Sequence, residues 1–136
     1  LKMVSQWHAN IGTPGTDKWV TSYRERFKGA KDDFFYSTPV TSVEMLAKAM
    51  DQAKSAAPLS VARALEGMRW QSDTGEVFMR PDNHQLIQPL FISTFVKADG
   101  KNPKFDVERT GFGFRTDRRI EPKDTELPTT CKMERP

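Results

Sequence analysis

Val43-Glu44-Met45-Leu46-Ala47-Lys48-Ala49-Met50-Asp51-Gln52-Ala53 is the stretch that decides the fold. Its residues Val43, Leu46, Ala47, Met50 and Ala53 recur at helical spacing and make one apolar stripe. Just upstream, Thr41-Ser42-Val43-Glu44 has the form of a capping box. In that motif the Thr41 hydroxyl accepts from the Glu44 amide, and the Glu44 carboxylate returns to the Thr41 amide. A helix is therefore predicted from Thr41 to about Lys54, with alanines that let a neighbouring element approach closely. Such a stripe has to be buried against a sheet or against other helices.

Two further helices flank it. Gly12-Thr13-Pro14-Gly15 breaks the backbone, and Thr16 is a cap by residue type. Trp19, Val20, Tyr23 and Phe27 then share a face until Gly29 ends the helix. On the other side, Pro58 suits the first turn of a helix carrying Val61, Ala62 and Leu65 and closing at Gly67. Between the first two helices, after Lys31-Asp32-Asp33, the run Phe34-Phe35-Tyr36-Ser37 is short, aromatic and extended, and Thr38-Pro39 ends it.

From Trp70 onward strands replace helices. Asp73-Thr74-Gly75 is a turn, Glu76 to Met79 a short strand, and Pro81-Asp82-Asn83 a second turn. Leu86 to Lys97 is a long strand candidate in which Pro89 marks an edge, a bend or a crossing. Asp99-Gly100-Lys101-Asn102-Pro103 turns the chain back into Phe105 to Thr116, giving a hairpin with a long loop. Glu121 to Pro136 reads as an extended tail pinned at most near Leu127, Cys131 and Met133. Three striped helices followed by one hairpin offer too few partners for the helical faces. Leu1 to Ala9 also starts within an element with no turn before it, so the expectation is a part of a larger fold with polypeptide preceding Leu1, and any targeting signal has been removed or lies upstream.

Composition narrows the function classes. With 37% hydrophobic and 29% charged residues over 136 positions, the chain has the make-up of one globular domain. Leu86 to Val96, its longest apolar stretch, is interrupted by Gln88, Pro89, Ser93 and Thr94, far short of the roughly 20 residues that cross a bilayer. The net charge of +3 comes from cations interleaved with acids, as in Arg24-Glu25-Arg26. The densest basic cluster, Arg115 to Arg119, contains Asp117 and no aromatic, so it reads as a solvated strand end and nucleic acid is not an expected partner.

No active site emerges. His8 and His84 are the only histidines, and His84, beside the Pro81-Asp82-Asn83 turn, is read as a turn histidine bonded to backbone, with a general base as the competing role. Neither belongs to a metal-spaced pair, and Asp32-Asp33 reads as a solvated loop. The single cysteine, Cys131, excludes an internal disulfide and a cysteine-built zinc site, although a partner outside these residues is open to it. Gly111-Phe112-Gly113-Phe114 lies in a strand pattern with no helix start to receive a phosphate, so its glycines permit a bulge or close packing. No enzymatic activity, metal or cofactor is expected.

Several patterns in order resemble the C-terminal part of the Leu/Ile/Val-type (branched-chain amino acid) periplasmic solute-binding proteins of ABC transporters. They are Tyr23-Arg24-Glu25-Arg26-Phe27 with its following aromatic strand, the Val43–Ala53 helix, Pro58-Leu59-Ser60-Val61-Ala62-Arg63-Ala64-Leu65-Glu66-Gly67-Met68, Thr74 to Arg80, and His84 to Leu90. The resemblance implies an α/β chain that is a fragment of a two-lobed type I periplasmic-binding fold, here three helices followed by a long crossing strand and a hairpin, with a parallel sheet in each lobe. On that template residues 1–11 are a crossover segment, 12–88 the helical part of the first lobe, 89–120 the crossing strand and hairpin of the second lobe, and 121–136 an extended C-terminal tail. It also implies capture of a small amino acid or related carboxylate in the periplasm by lobe closure, with an ABC permease and the missing N-terminal part of the same protein as partners. Phe35 matches an aromatic ligand contact of the family, with Tyr36 and Ser37 beside it; a buried core aromatic is the other role open to Phe35. Where members often carry Tyr shortly before the long helix this chain has Val40, so the ligand can differ. A ligand-sensing regulatory domain on the same fold and an unrelated small interaction domain are the alternatives.

Overall fold

The computed structural model describes residues 1–30 and 37–134. Phe34, Phe35 and Tyr36 of the predicted aromatic strand lie outside the described residues. The elements run β1 (Lys2–Ser5), α1 (Pro14–Arg26), α2 (Ser37–Ala53), α3 (Pro58–Leu65), β2 (Arg69–Ser72), β3 (Gly75–Met79), β4 (Leu86–Ile87), β5 (Leu90–Lys97), β6 (Phe112–Ile120) and α4 (Pro122–Thr125).

Both of the longer helices start earlier than expected, for one physical reason. In α1 the cap is Thr13, whose hydroxyl accepts from the Thr16 amide at 3.3 Å. Thr16 is instead fully buried inside the helix, and its hydroxyl donates to Asp73 at 3.1 Å. In α2 the helix begins at Ser37, so Ser37 belongs to the helix and not to an extended run, and Thr41-Ser42-Val43-Glu44 is not a capping box. The Glu44 carboxylate accepts from the Trp70 indole at 3.1 Å, and Ser42 Oγ donates back to the Thr38 carbonyl. Pro39 is tolerated because it falls in the first turn, where amides have no intrahelical acceptor to lose. Asp73 takes the Thr16 hydroxyl and Trp70 the Glu44 carboxylate, two side chains that local spacing had assigned to capping. Helix α3 runs as expected from Pro58, with Gly67 at φ +76 just beyond its end.

Two three-stranded sheets form, ordered β1-β5-β6 and β2-β3-β4, and every pairing among the described residues is antiparallel. The parallel sheets implied by the resemblance are not found within them. Arg69 to Ser72, not predicted as a strand, pairs with β3 through Trp70↔Val77 and Ser72↔Gly75, closing on an Asp73-Thr74 turn. The long strand expected over Leu86–Lys97 is broken in two. Leu86–Ile87 pairs with β3 in one sheet, and Leu90–Lys97 pairs with β1 and β6 in the other. Pro89, fully buried between them, has no amide to give to either ladder, so the switch of sheets falls at that residue.

The return strand begins at Phe112 and ends at Ile120, not Phe105 to Thr116. Residues 98–111 are loop, folded back so that the Phe105 amide donates to Asn10 Oδ1 at 2.7 Å and Asn10 Nδ2 donates to the Phe105 carbonyl at 2.9 Å. That carbonyl oxygen occupies the place a Cβ on Gly113 would need, which is why a glycine stands there. Salt bridges from Arg24 to Asp106 at 3.2 Å and Lys104 to Asp17 at 2.7 Å fasten the loop to α1.

One core packs Met45 and Ala49 of α2 against Val61, Met68 and Val77, with Leu65, Trp70, Met79 and Leu86 around them. A second lies beneath β5 and β6, where Phe91, Phe114 and His8 are buried and in ring contact. The stripe predicted for burial on α2 is not the buried one: Val43, Leu46, Ala47 and Met50 are exposed, and Ala53 is half-buried. The tail contains a helical turn, Pro122–Thr125, and is held by polar anchors. Arg80 donates to the Leu127 carbonyl at 2.6 Å and Asn83 to Thr129 at 3.2 Å.

Candidate functional site

Concave surface gathers around the first turn of α2. A cavity of about 410 Å³ is lined by Met3, Val4, Ser5, Gln6 and Trp7 from β1 and its exit, by Thr38 of α2, and by Leu90 at the start of β5. A narrow extension reaches Thr41, Ser42, Thr74 and Gln88. On the other side of the same helical turn, Trp19, Val40, Thr41, Glu44, Gln71, Ser72 and Asp73 line a cleft of about 290 Å³. The larger volume falls within the range that takes a small organic ligand, and its mostly apolar walls with a few convergent polar groups are the usual character of such sites. Ser5 Oγ is buried and has no hydrogen-bond partner among the described residues.

The walls are held by side chains from distant parts of the chain. β1 is set by its pairing with β5, Met3 opposite Ser93 and Ser5 opposite Phe91. The Trp7 ring is fully buried, its indole N–H donating to Thr16 Oγ1 at 3.3 Å and Asp73 Oδ2 at 3.2 Å. Asp73 is presented by the β2–β3 turn, which Ser72 and Thr74 stiffen through a 2.8 Å hydroxyl pair and which Arg119 grips by donating to the Thr74 carbonyl at 2.7 Å. That turn therefore joins one sheet to the other at the edge of the cavity.

Of the residues predicted to touch ligand, Phe35 and Tyr36 lie outside the described residues, as does the Ser37 side chain. They directly precede Thr38, which lines the cavity. Ser5, Gln6, Trp7 and Asp73 were not singled out from sequence. An aromatic at the exit of a strand and an aspartate in a tight turn were the only local signals.

The histidines do other work. His84 stands at φ 57 and its Nε2 is 2.9 Å from Glu66 Oε1, so its side chain meets a carboxylate and not the backbone. His8 lies 2.8 Å from Ser93 Oγ, a separation that a nucleophile and base would have. Its Nδ1, however, accepts from the Asn10 amide at 3.1 Å, so in the neutral ring the proton sits on Nε2 and points at Ser93 and Thr116. Burial holds the His8 pKa down at about 4, so the ring is neutral at pH 7. A protonated Nε2 cannot accept the serine proton, and both side chains are sealed from solvent. Cys131 is exposed. Among the described residues no three His, Cys, Asp or Glu side chains gather as a metal would need. No helix there is long and apolar enough to cross a membrane.

The architecture is that of a piece of a two-lobed α/β binding protein. The structure superposes on an ABC-type branched-chain amino acid transporter protein of Rhodopseudomonas palustris CGA009 with a TM-score of 0.72, at 19% identity, over 94% of this chain and 32% of that one. On the leucine-, isoleucine-, valine-, threonine- and alanine-binding protein of Brucella ovis in its closed conformation the TM-score is 0.78, at 17% identity, over 99% and 35%. A solute-binding protein of an ABC transporter from Rhodopseudomonas palustris BisB5, solved with 3,4-dihydroxybenzoic acid, gives 0.69 at 15% identity over 90% and 31%. At these identities the likeness establishes the fold, and the chain spans about a third of the length of the structures it matches. No curated protein sequence is significantly similar to it. Residues 1–101 match the family profile described as periplasmic binding protein, three-quarters of the chain. The chain belongs to the periplasmic binding protein family.

Proposed function

We propose that this chain is part of the extracytoplasmic solute-binding component of an ABC importer, capturing a small carboxylate such as an amino acid or an aromatic acid by closure of two lobes. The family match over residues 1–101 carries the reading, and the cavity at the first turn of α2 supports it. In this reading residues 1–11 and the passage at Pro89 are crossings between lobes, 12–88 belong to the first lobe, 89–120 to the second, and 121–136 form the tail. Phe35, Tyr36 and Ser37, preceding Thr38, supply ligand contacts from the first lobe. Ligand held by one lobe favours the closed form by the extra contacts it gains with the other. The closed protein, in the periplasm, would then be read by a membrane permease.

Both amino acids and hydroxybenzoates are candidate ligands, because the similar structures include one named for amino acids, at a TM-score of 0.78, and one solved with 3,4-dihydroxybenzoic acid, at 0.69. The test is thermal shift and calorimetry on the full gene product with a panel of both. One member should raise Tm and bind with a Kd in the micromolar range or tighter, and Phe35→Ala should weaken it at least about tenfold while leaving the unliganded Tm unchanged. Binding of no panel member, or full affinity in Phe35→Ala, would count against the respective claim.

A further inference from the structure

The two concavities beside the first turn of α2 differ in charge. Glu44 and Asp73 put two carboxylates on the wall of the cleft of about 290 Å³. Across the helical turn, the cavity of about 410 Å³ and its narrow extension have no ionisable side chain on their walls among the described residues. An anionic solute is repelled by the first and not by the second. The neutral wall has its own preference for one end of such a solute. Met3, Val4, Trp7 and Leu90 make most of it apolar, and Ser5 keeps its hydroxyl oxygen buried. That leaves the Gln6 carboxamide and the Thr38 hydroxyl, both on exposed residues and neither side chain hydrogen-bonded to the protein among the described residues. A carboxylate has about four acceptor sites to satisfy and is costly to take out of water without an opposite charge. Two neutral groups do not meet that need. A hydroxyl has one donor and two acceptor sites, and an amide with a second hydroxyl supplies both kinds of partner.

We propose that this wall receives the uncharged end of the captured carboxylate and selects a solute that carries a hydroxyl there, with Gln6 and Thr38 as the specificity-determining residues. The inference rests on the solute-capture reading above and narrows it to hydroxylated acids. Discrimination arises because a solute with a methyl group in place of the hydroxyl must strip water from both polar side chains and return no hydrogen bond to either. The charged end of the solute then points away from β1 and the first turn of α2.

The test is calorimetry on the full gene product with two isosteric pairs, p-hydroxybenzoate against p-methylbenzoate and threonine against valine. In the pair that binds, the hydroxylated member should bind at least about tenfold tighter. The double variant Gln6→Met with Thr38→Val should bring the two members within about twofold of each other, by weakening the hydroxylated one, with the unliganded Tm unchanged. Should the double variant fail to fold, Thr38→Val and Gln6→Met singly should each reduce the preference. Equal affinity within a pair, tighter binding of the methyl member, or a preference that survives in the variants would overturn this inference while leaving solute capture standing. Binding of neither pair would overturn both.

Discussion

His8 shows how much one side chain can tie together. Its ring lies between Phe91 and Phe114, accepts from the Asn10 amide, and donates toward Ser93 and Thr116. The native ring titrates at about 4, against 6.5 in an unfolded chain. Between those values the unfolded state binds a proton that the folded state refuses, so stability falls as pH drops from about 6.5 to 4, by up to about 3 kcal/mol. The depressed carboxyl groups of Asp82, Asp99 and Asp117 act lower, since their contribution is lost only as pH falls below the ordinary carboxylate value of 3.8. Urea unfolding at pH 6.5 and 4.5 should therefore show a fall in midpoint that His8→Asn largely removes. An unchanged fall in the variant would mean that other groups carry it. Nothing in Gln6-Trp7-His8-Ala9 announces this role, because Ser93 and Thr116 come from strands some hundred positions later.

Among elements, the β2–β3 turn bears the most on the cavity. Asp73 accepts from both Trp7 and Thr16, one from the end of β1 and one from α1. Asp73→Ala removes an acceptor from two buried donors and should cost about 1–3 kcal/mol, seen as a lower denaturant midpoint with a red-shifted tryptophan emission. Asp73→Asn, which keeps an acceptor oxygen, should cost less. If both variants unfold like the parent, the turn does not fix the Trp7 wall. The existence of this turn was legible from Asp73-Thr74-Gly75, and so was the span of α3 from Pro58 and Gly67. What Asp73 holds was not legible, since its partners are 57 and 66 positions away. The same limit misplaced two helix starts. Thr13 and Thr16 are equally good caps by type; Pro14 at the first helical position and the distant carboxylate that holds Thr16 together put the cap at Thr13. On α2, helical spacing identifies an apolar stripe but not which of two stripes meets the core.

At the scale of the whole molecule, the tail is fastened chiefly by one arginine. Arg80, its side chain 8% exposed, pairs with both carboxylate oxygens of Asp82 at 2.9 and 2.6 Å and donates to the Leu127 carbonyl. Arg80→Met should free residues 126–134 and speed trypsin cleavage after Lys132, followed by mass spectrometry, with little change in the cleavage of α1. Equal cleavage rates would show that Thr125 and Thr129, through Gln88 and Asn83, suffice. The order of helices, turns and hairpin could be read ahead of the structure, and so could a discontinuity at Pro89. The division into two sheets could not, because it depends on β1 finding β5 across about two-thirds of the chain. Pro89 carries a consequence of its own. Lacking an amide hydrogen, it prevents the two ladders from zipping into a single ribbon through Gln88 and Leu90. No rung is shared across that joint among the described residues, and beside it the two sheets are bridged by side chains, Arg119 to the Thr74 carbonyl and Trp7, just past β1, to Asp73.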